Sequence, residues 1–323
     1  MPAMEMTKWF DTNYHYIVPE FTKDQIFNAY SEKAILEFED AKQHGIVTKP
    51  VLLGPVTFLL LGKEKEKGFK RIDLLDRLLP VYIEVLKALH QRGAEWVQLD
   101  EPCLVLDLSV EEKAALQSAY AQMKEAVPHL NILIATYFGA LAENADLAAT
   151  LPVDALHIDL TRGEDNLKTI LQIADFVNSE KILSLGVVDG RNIWKNDFQK
   201  SLNFIDEAVK SLGESRVWIA PSCSLLHTPY DLDLEKNESV LSAEIKNWMA
   251  FAKQKLNEVQ ALSLLTDGDP SATALYIGNQ NAIESRRTSS LIHKPEVKNR
   301  ISAITSQDFE RESAFPVRQE IQL

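Results

Sequence analysis

Short β-type runs alternate with longer stretches of helical periodicity along most of the chain. Seven runs are rich in β-branched or aromatic residues and closed by Gly, Pro, Asp or Ser: residues 8–18 (KWFDTNYHYIV), 50–53 (PVLL), 96–100 (WVQLD), 131–138 (NILIATYF), 155–160 (ALHIDL), 181–188 (KILSLGVV) and 216–220 (RVWIA). Between them lie helix patterns. Thr22-Lys23-Asp24-Gln25 reads as a capped start with Ile26, Tyr30, Ala34 and Leu36 following. Residues 74–90 place Leu75, Leu78, Leu79, Tyr82, Val85, Leu86 and Leu89 on one face, and Pro80 inside that pattern predicts a kink or a late start. Residues 166–178 and 197–212 read similarly, and 241–265 reads as the longest helical stretch.

Strands alternating with helices indicate parallel βαβ units. Their spacing fits an α/β protein of the (β/α)₈ TIM-barrel type, yet seven strands are countable rather than eight. After residue 265 the pattern stops. Residues 266–323 are polar, with turn signals at Asp267-Gly268-Asp269-Pro270 and Ile277-Gly278-Asn279, and read as a linker-like tail with some helix over 295–306. The expected domains are therefore a barrel over 1–265 and a tail over 266–323.

Composition narrows the function class. Of 323 residues, 46% are apolar, enough for a large core. The net charge of −13 argues against nucleic acid or an anionic membrane as main partner. Two cysteines, Cys103 and Cys223, are too few for a disulfide framework and fit a reducing compartment. No apolar run is long enough to span a membrane, and residues 1–6 do not read as a signal peptide, so a cytoplasmic protein is expected.

In a barrel, chemistry gathers beyond the strand C-termini. The residues expected there are Asn13 and His15; Gly54, Pro55 and Thr57; Asp100 and Glu101; Thr136 and Tyr137; Asp159, Thr161 and Arg162; Asp189, Arg191 and Asn192; Ser222, Cys223, Ser224 and His227. Loops are polar in any case, so position alone does not assign a role. Asp100-Glu101 could serve acid–base chemistry, but neighbours in extended chain point opposite ways, so one of the two is expected to enter the cavity. The bland reading is a carboxylate that caps a loop. Cys223 and His227 are zinc-ligand types, but too few for a site, and Cys223 fits a buried small residue better. A Cys-His nucleophile pair lacks an orienting third group. Residues 63–71 (KEKEKGFKR) read as a solvated loop, and no phosphate-binding glycine motif is present.

Several ordered segments together carry a resemblance: 5–16 (EMTKWFDTNYHY), 50–57 (PVLLGPVT), 95–102 (EWVQLDEP), 136–138 (TYF), 190–194 (GRNIW) and 222–227 (SCSLLH). The chain resembles the N-terminal domain of cobalamin-independent methionine synthase over essentially its whole length. That resemblance implies one barrel of a two-barrel S-methyltransferase of methionine biosynthesis. The family's enzyme moves a methyl group from 5-methyltetrahydrofolate polyglutamate to homocysteine. It implies zinc, homocysteine and the folate head group in the other, C-terminal barrel, and no cofactor in this one. It also implies a start downstream of the family's first strand and basic segment, and an end in the interdomain linker at about 317–323. The family's lysine that contacts the glutamate tail falls on Lys8, and the motif's asparagine on Asn13. An ammonium pairs with a carboxylate and an amide donates to one. Cys223 is then a relic of barrel duplication.

The resemblance implies a catalytically incompetent isolated chain. Its partners would be folate polyglutamate, a separately encoded catalytic barrel, or another copy across the open barrel seam. Two other classes are a non-catalytic folate- or partner-binding module and, more remotely, a barrel glycoside hydrolase using Glu101 and Asp159.

Overall fold

The computed structural model describes residues 4–29 and 31–322; residues 1–3, Tyr30 of the expected first helix and Leu323 lie outside the described residues. In chain order the elements begin with β1 (Met6–Lys8), β2 (His15–Ile17), β3 (Glu20–Phe21), α1 (Lys33–Gln43), β4 (Val51–Leu53), α2 (Pro55–Leu60), β5 (Lys63–Glu64) and α3 (Leu75–Gln91). They continue with β6 (Trp96–Asp100), α4 (Val110–Ala126), β7 (Asn131–Ala135), α5 (Ala145–Thr150), β8 (Ala155–Asp159), α6 (Asn166–Leu171), α7 (Ala174–Val177) and β9 (Ile182–Val188). Then follow α8 (Phe198–Leu212), β10 (Val217–Pro221), α9 (Ala243–Asn247), α10 (Ala252–Thr266), α11 (Thr273–Thr288), α12 (Pro295–Ser302) and α13 (Phe315–Gln322).

Six strands form one parallel sheet in the order β10-β9-β8-β7-β6-β4. One face carries Val97, Leu99, Ile132, Ile134, Leu156, Ile158, Leu183 and Leu185, all at most 1% exposed and packed under the helices. Burying each such side chain stabilises the fold by about 1.5–3 kcal/mol. The opposite face carries Trp96, Leu133, Ala155, Ile182 and Trp218. The Trp96 and Trp218 rings lie 4.8 Å apart. Four strand spacings of about 4.8 Å would separate β6 from β10 by roughly 19 Å in a flat sheet. The sheet is therefore strongly curled, with the β4 and β10 edges turned toward each other. Lys49, just before β4, lies 5.5 Å from the Trp218 ring across that opening.

Among the described residues the sheet is not closed into a barrel, and it has six parallel strands where seven runs were expected. Residues 8–18 do not join it, because the chain reverses at Thr12 and β1 pairs antiparallel with β2. Two further expectations fail for a shared reason: tertiary partners outbid local helix propensity. Residues 22–29 are irregular, held by Lys23 N donating to Glu66 (3.0 Å) and by Arg77 donating to the Lys23 carbonyl (2.9 Å). The 241–265 stretch breaks between α9 and α10, where Ala250 N donates to Ile193 O (2.9 Å) and Lys195 N to Trp248 O (2.8 Å).

Pro80 sits inside α3, which is assigned without interruption from Leu75, so the late start does not occur. In the tail, Ile277-Gly278-Asn279 is no turn but the middle of α11. Asn279 is buried there, donating to Asn196 O (2.7 Å) and accepting from Phe198 N (3.1 Å). The expected helix near 295 is α12.

A capping box forms elsewhere in the fold. At the start of α4, Ser109 Oγ accepts from Glu112 N (3.2 Å) and the Glu112 carboxylate accepts from Ser109 N (2.8 Å). Ser109→Ala is expected to lower stability by about 1 kcal/mol, read as a lower urea midpoint at unchanged slope.

Candidate functional site

A cavity of about 700 Å³ opens on the concave face of the curled sheet. Its floor is built by alternate strand residues: Gln98 and Asp100 on β6, Ala135 on β7, His157 on β8, Ser184 on β9 and Ala220 on β10. The period of two along each strand brings these side chains to one face. Lys49 and Tyr137 enter from the strand ends, and Trp9, Tyr14 and Tyr16 of the β1–β2 hairpin close one side.

Asp100 accepts from Gln98 Nε2 (2.7 Å) and from the Tyr137 hydroxyl (3.0 Å). Burial pushes its carboxyl above the usual range, against those two donors and the nearby Lys49 ammonium. Burial equally lowers the Lys49 ammonium. His157 is held at Nδ1 by Ser184 Oγ (2.9 Å) and at Nε2 by the Ser222 carbonyl (3.2 Å). A carbonyl only accepts, so Nε2 carries the proton and Nδ1 accepts from the serine. Burial lowers the pKa of His157, so the imidazole is neutral. Gly186 permits this close approach: a Cβ there would stand 2.8 Å from Ile158 O and from Ser222 Cα, both backbone atoms.

Of the two adjacent acids, Asp100 lines the cavity and Glu101 does not. Glu101 is fully buried on the other side, accepting from Val56 N (3.2 Å) and Thr57 N (2.7 Å) at the start of α2. Asp159 is also fully buried, accepting from the backbone of Phe138 (3.0 Å), Thr161 (2.8 Å) and Arg162 (3.1 Å). Both carboxylates hold loops, so the acid–nucleophile pair of a hydrolase is not assembled.

Cys223 and His227 line the same cavity, but burial pushes the Cys223 thiol up to about 12, which leaves it protonated and a poor nucleophile. Its sulfur contacts Ser222 Oγ (3.9 Å) and Ser224 O (3.7 Å). Cys103 lies instead beside Glu101 (3.5 Å). Among the described residues, no group of three or more His, Cys, Asp or Glu side chains is arranged to hold a metal ion. Cys223 and His227 supply two donors where a zinc site needs three or four, so this donor set does not fit zinc.

Lys8 and Asn13 are both exposed on the hairpin, Lys8 at the end of β1 opposite His15 and Asn13 in the turn. Neither lines the cavity; their neighbours Trp9 and Tyr14 do. Among the described residues neither side chain makes an intramolecular hydrogen bond or ion pair. The hairpin is tied down elsewhere. Asp11 is bridged by Arg191 (2.7 Å) and Arg162 (3.1 Å), and the Tyr16 hydroxyl donates to Leu61 O (3.0 Å). Residues 63–71 behave as read, an exposed segment with short ion pairs such as Lys65–Glu20 (3.1 Å) around the two-residue β5.

Sequence reasoning missed Lys49 and His157 because both sit within or beside strand runs that were read for their apolar pattern. A lone His inside ALHIDL was the available signal.

The family model described as cobalamin-independent synthase, N-terminal domain, matches residues 1–213. A 5-methyltetrahydropteroyltriglutamate–homocysteine methyltransferase of Cytophaga hutchinsonii is 57% identical over 323 residues, covering 99% of this chain and 42% of the relative. The same-named protein of Flavobacterium johnsoniae is 54% identical with the same coverage. The chain thus spans well under half the length of these relatives. Among solved structures, a protein described as a vitamin-B12-independent methionine synthase from Listeria monocytogenes aligns with a TM-score of 0.52 at 14% identity, covering 76% of this chain and 72% of that one. A B12-independent methionine synthase from Shewanella sp. W3-18-1, solved with selenomethionine, gives 0.51 at 16% identity, covering 73% and 67%. The chain belongs to the cobalamin-independent synthase family and corresponds to the N-terminal half of its methionine-synthase members.

Proposed function

We propose that this chain is the folate-tail-holding and scaffold half of an enzyme transferring a methyl group from 5-methyltetrahydropteroyltriglutamate to homocysteine. The observation that carries this reading is the 57% identity to a methyltransferase of that name across 99% of the chain. On this reading the curled parallel sheet is most of a (β/α)₈ barrel over residues 1–265, followed by a linker-like segment over 266–323. Its parallel order and its curl support a barrel. The zinc that activates homocysteine as a thiolate belongs to the other half of the longer enzyme, since the donors here do not fit it. Partners on this reading are the folate polyglutamate and a catalytic barrel, with the open β4 and β10 edges available for pairing with it or with a second copy. Among the described residues no helix is long and apolar enough to cross a membrane, in keeping with a cytoplasmic enzyme.

Lys8 and Asn13 hold the tail. An exposed ammonium and an uncommitted amide on one hairpin suit a flexible polycarboxylate, and binding through them weakens as salt rises. Titration of the purified chain with folates carrying one to three glutamates is the test. Affinity is expected to rise with tail length and to lose that dependence in Lys8→Ala; affinity indifferent to length would sink the tail-binding role. No methionine is expected from the purified chain supplied with both substrates, and measurable turnover would overturn the assignment of catalysis to the other half. A non-catalytic folate-binding module is the second reading, in line with a cavity that, among the described residues, groups no three His, Cys, Asp or Glu side chains for a metal ion. It shares the first outcome and differs in showing no rate gain when a catalytic barrel is added.

A further inference from the structure

Two arginines from different strand ends converge on one carboxylate. Arg162 follows β8 and Arg191 follows β9, and both reach Asp11 at the tip of the β1–β2 hairpin. The two sides of this contact are built very differently. The Arg162 backbone N–H donates to buried Asp159 (3.1 Å), and that of Arg191 donates to Asp189 (2.7 Å). The Arg191 side chain is only 11% exposed, and its guanidinium stacks 4.6 Å from the Phe138 ring centre. Arg191 is thus preset on the sheet by burial and ring stacking, while Arg162 is anchored there through its backbone with a side chain 42% exposed. Asp11, in contrast, has a 63% exposed side chain on a hairpin of two three-residue strands, an element of marginal stability by itself.

The backbone around the contact is strained. Phe10, next to Asp11, and Phe138, under Arg191, both adopt left-handed conformations (φ 51° and 79°), which large aromatic residues rarely do. Such outliers persist only where the surroundings enforce them, and they cluster at ligand clamps. The Phe10 and Phe138 rings meet edge to face, 5.7 Å apart, so the hairpin is pressed onto the floor beneath the arginines.

The geometry points to Arg162 and Arg191 as a preformed carboxylate receptor that Asp11 occupies in cis and that a glutamate carboxylate of the folate tail takes over. This deepens the proposed function and rests on it for the ligand's identity. Planar guanidinium groups match carboxylates through paired donors, which lysine cannot reproduce. Exchange of Asp11 for a ligand carboxylate keeps both arginines paired and frees the hairpin, which carries Lys8 and Asn13, to close over the rest of the tail. Arg191 Nη2 also donates to the Asp11 carbonyl (3.2 Å), a bond available only while the hairpin is seated.

The test uses the full chain and free triglutamate, with affinity read by calorimetry and hairpin release by fluorescence, a Trp9→Phe variant serving as blank. Asp11→Asn removes the competitor and is expected to tighten triglutamate binding by roughly tenfold, the scale of one charge-assisted contact. Arg162→Lys and Arg191→Lys are expected to weaken it to a similar degree. Arg162 is the more exposed of the two, so its variant keeps the test open should Arg191→Lys misfold. Glu5→Gln, which removes another carboxylate of the same hairpin region, is expected to change affinity less than about twofold if bulk charge is not the cause. Unchanged or weaker binding in Asp11→Asn, or no triglutamate binding in wild type, overturns the receptor and leaves a plain structural tie. Folate affinity that grows with tail length but ignores all three variants overturns the receptor alone. Triglutamate binding that answers to Asp11→Asn, with folate affinity indifferent to tail length, retains the receptor and overturns the folate reading.

Discussion

Glu101→Ala is expected to lower the unfolding free energy by about 3–5 kcal/mol, from two buried N–H groups left without an acceptor and the cavity left behind. The carboxylate is fully buried and accepts two backbone N–H groups at the start of α2, the Tyr120 hydroxyl (3.3 Å) and the Cys103 thiol (3.5 Å). Burial pushes its pKa up while those donors pull it down. Removing it strands two buried N–H groups at a helix N-terminus, and it leaves a cavity. The neighbouring backbone is shaped around this side chain: a Cβ on Gly54 would stand 2.1 Å from Glu101 Cδ. Glu101→Gln keeps the volume but turns one acceptor into a donor facing an N–H, so an intermediate loss is expected. Urea unfolding at unchanged slope is the measurement. An alanine variant within 1 kcal/mol of wild type would show that the carboxylate does not cap α2.

The second large effect is a pH dependence seated beneath α10. Glu258 is 6% exposed; one oxygen accepts from Asn196 N (3.0 Å) and the other has no partner among the described residues. Burial pushes its carboxyl up to about 7, against the N–H bond and the Lys255 and Lys195 ammonium groups. The folded state therefore holds this proton more tightly than the unfolded chain. Stability from Glu258 is fully present below the ordinary carboxyl range near 4.5 and is lost as pH rises to about 7. At 1.36 kcal/mol per pKa unit the loss is about 3 kcal/mol. The other ionisable side chains around it are Lys195, Lys246 and Glu238, which line the same groove, and Lys255, whose ammonium donates to Trp194 O (3.0 Å). Burial lowers the Lys195 and Lys255 ammonium groups, and Glu238 is exposed. Glu258→Gln is expected to remove that fall in stability between pH 5 and 8. If the variant and wild type lose stability in parallel over this interval, the titrating group lies elsewhere.

The strands were legible because their apolar runs are short, bounded by turn residues and separated by periodic helices. The runs at 96–100 and 155–160 match β6 and β8 to within a residue. The site was legible only in part. Position after a strand pointed to Asp100, Tyr137, Arg191 and Cys223, but it pointed equally to Glu101 and Asp159, which turn away to hold loops. Lys49 carries no such signal, and His157 only that of a lone His inside an apolar run. They become cavity residues because two faces of one curled sheet sort their side chains by parity and because the edges approach each other.

The amino-acid order by itself determined the βαβ alternation, the net acidity and the family, since these rest on local propensity and on residue identity along the chain. Only the tertiary structure decided that residues 8–18 fold back as a hairpin, that the 241–265 helix breaks, that the sheet stays open with six strands, and that Asp11 meets two arginines. The Asp11 contacts reach partners more than a hundred residues away, the sheet joins strands from separate βαβ units, and the helix break depends on loop segments whose hydrogen bonds compete with the local helix. Such partners carry no periodic mark in the sequence, so the balance is set only when the chain is packed.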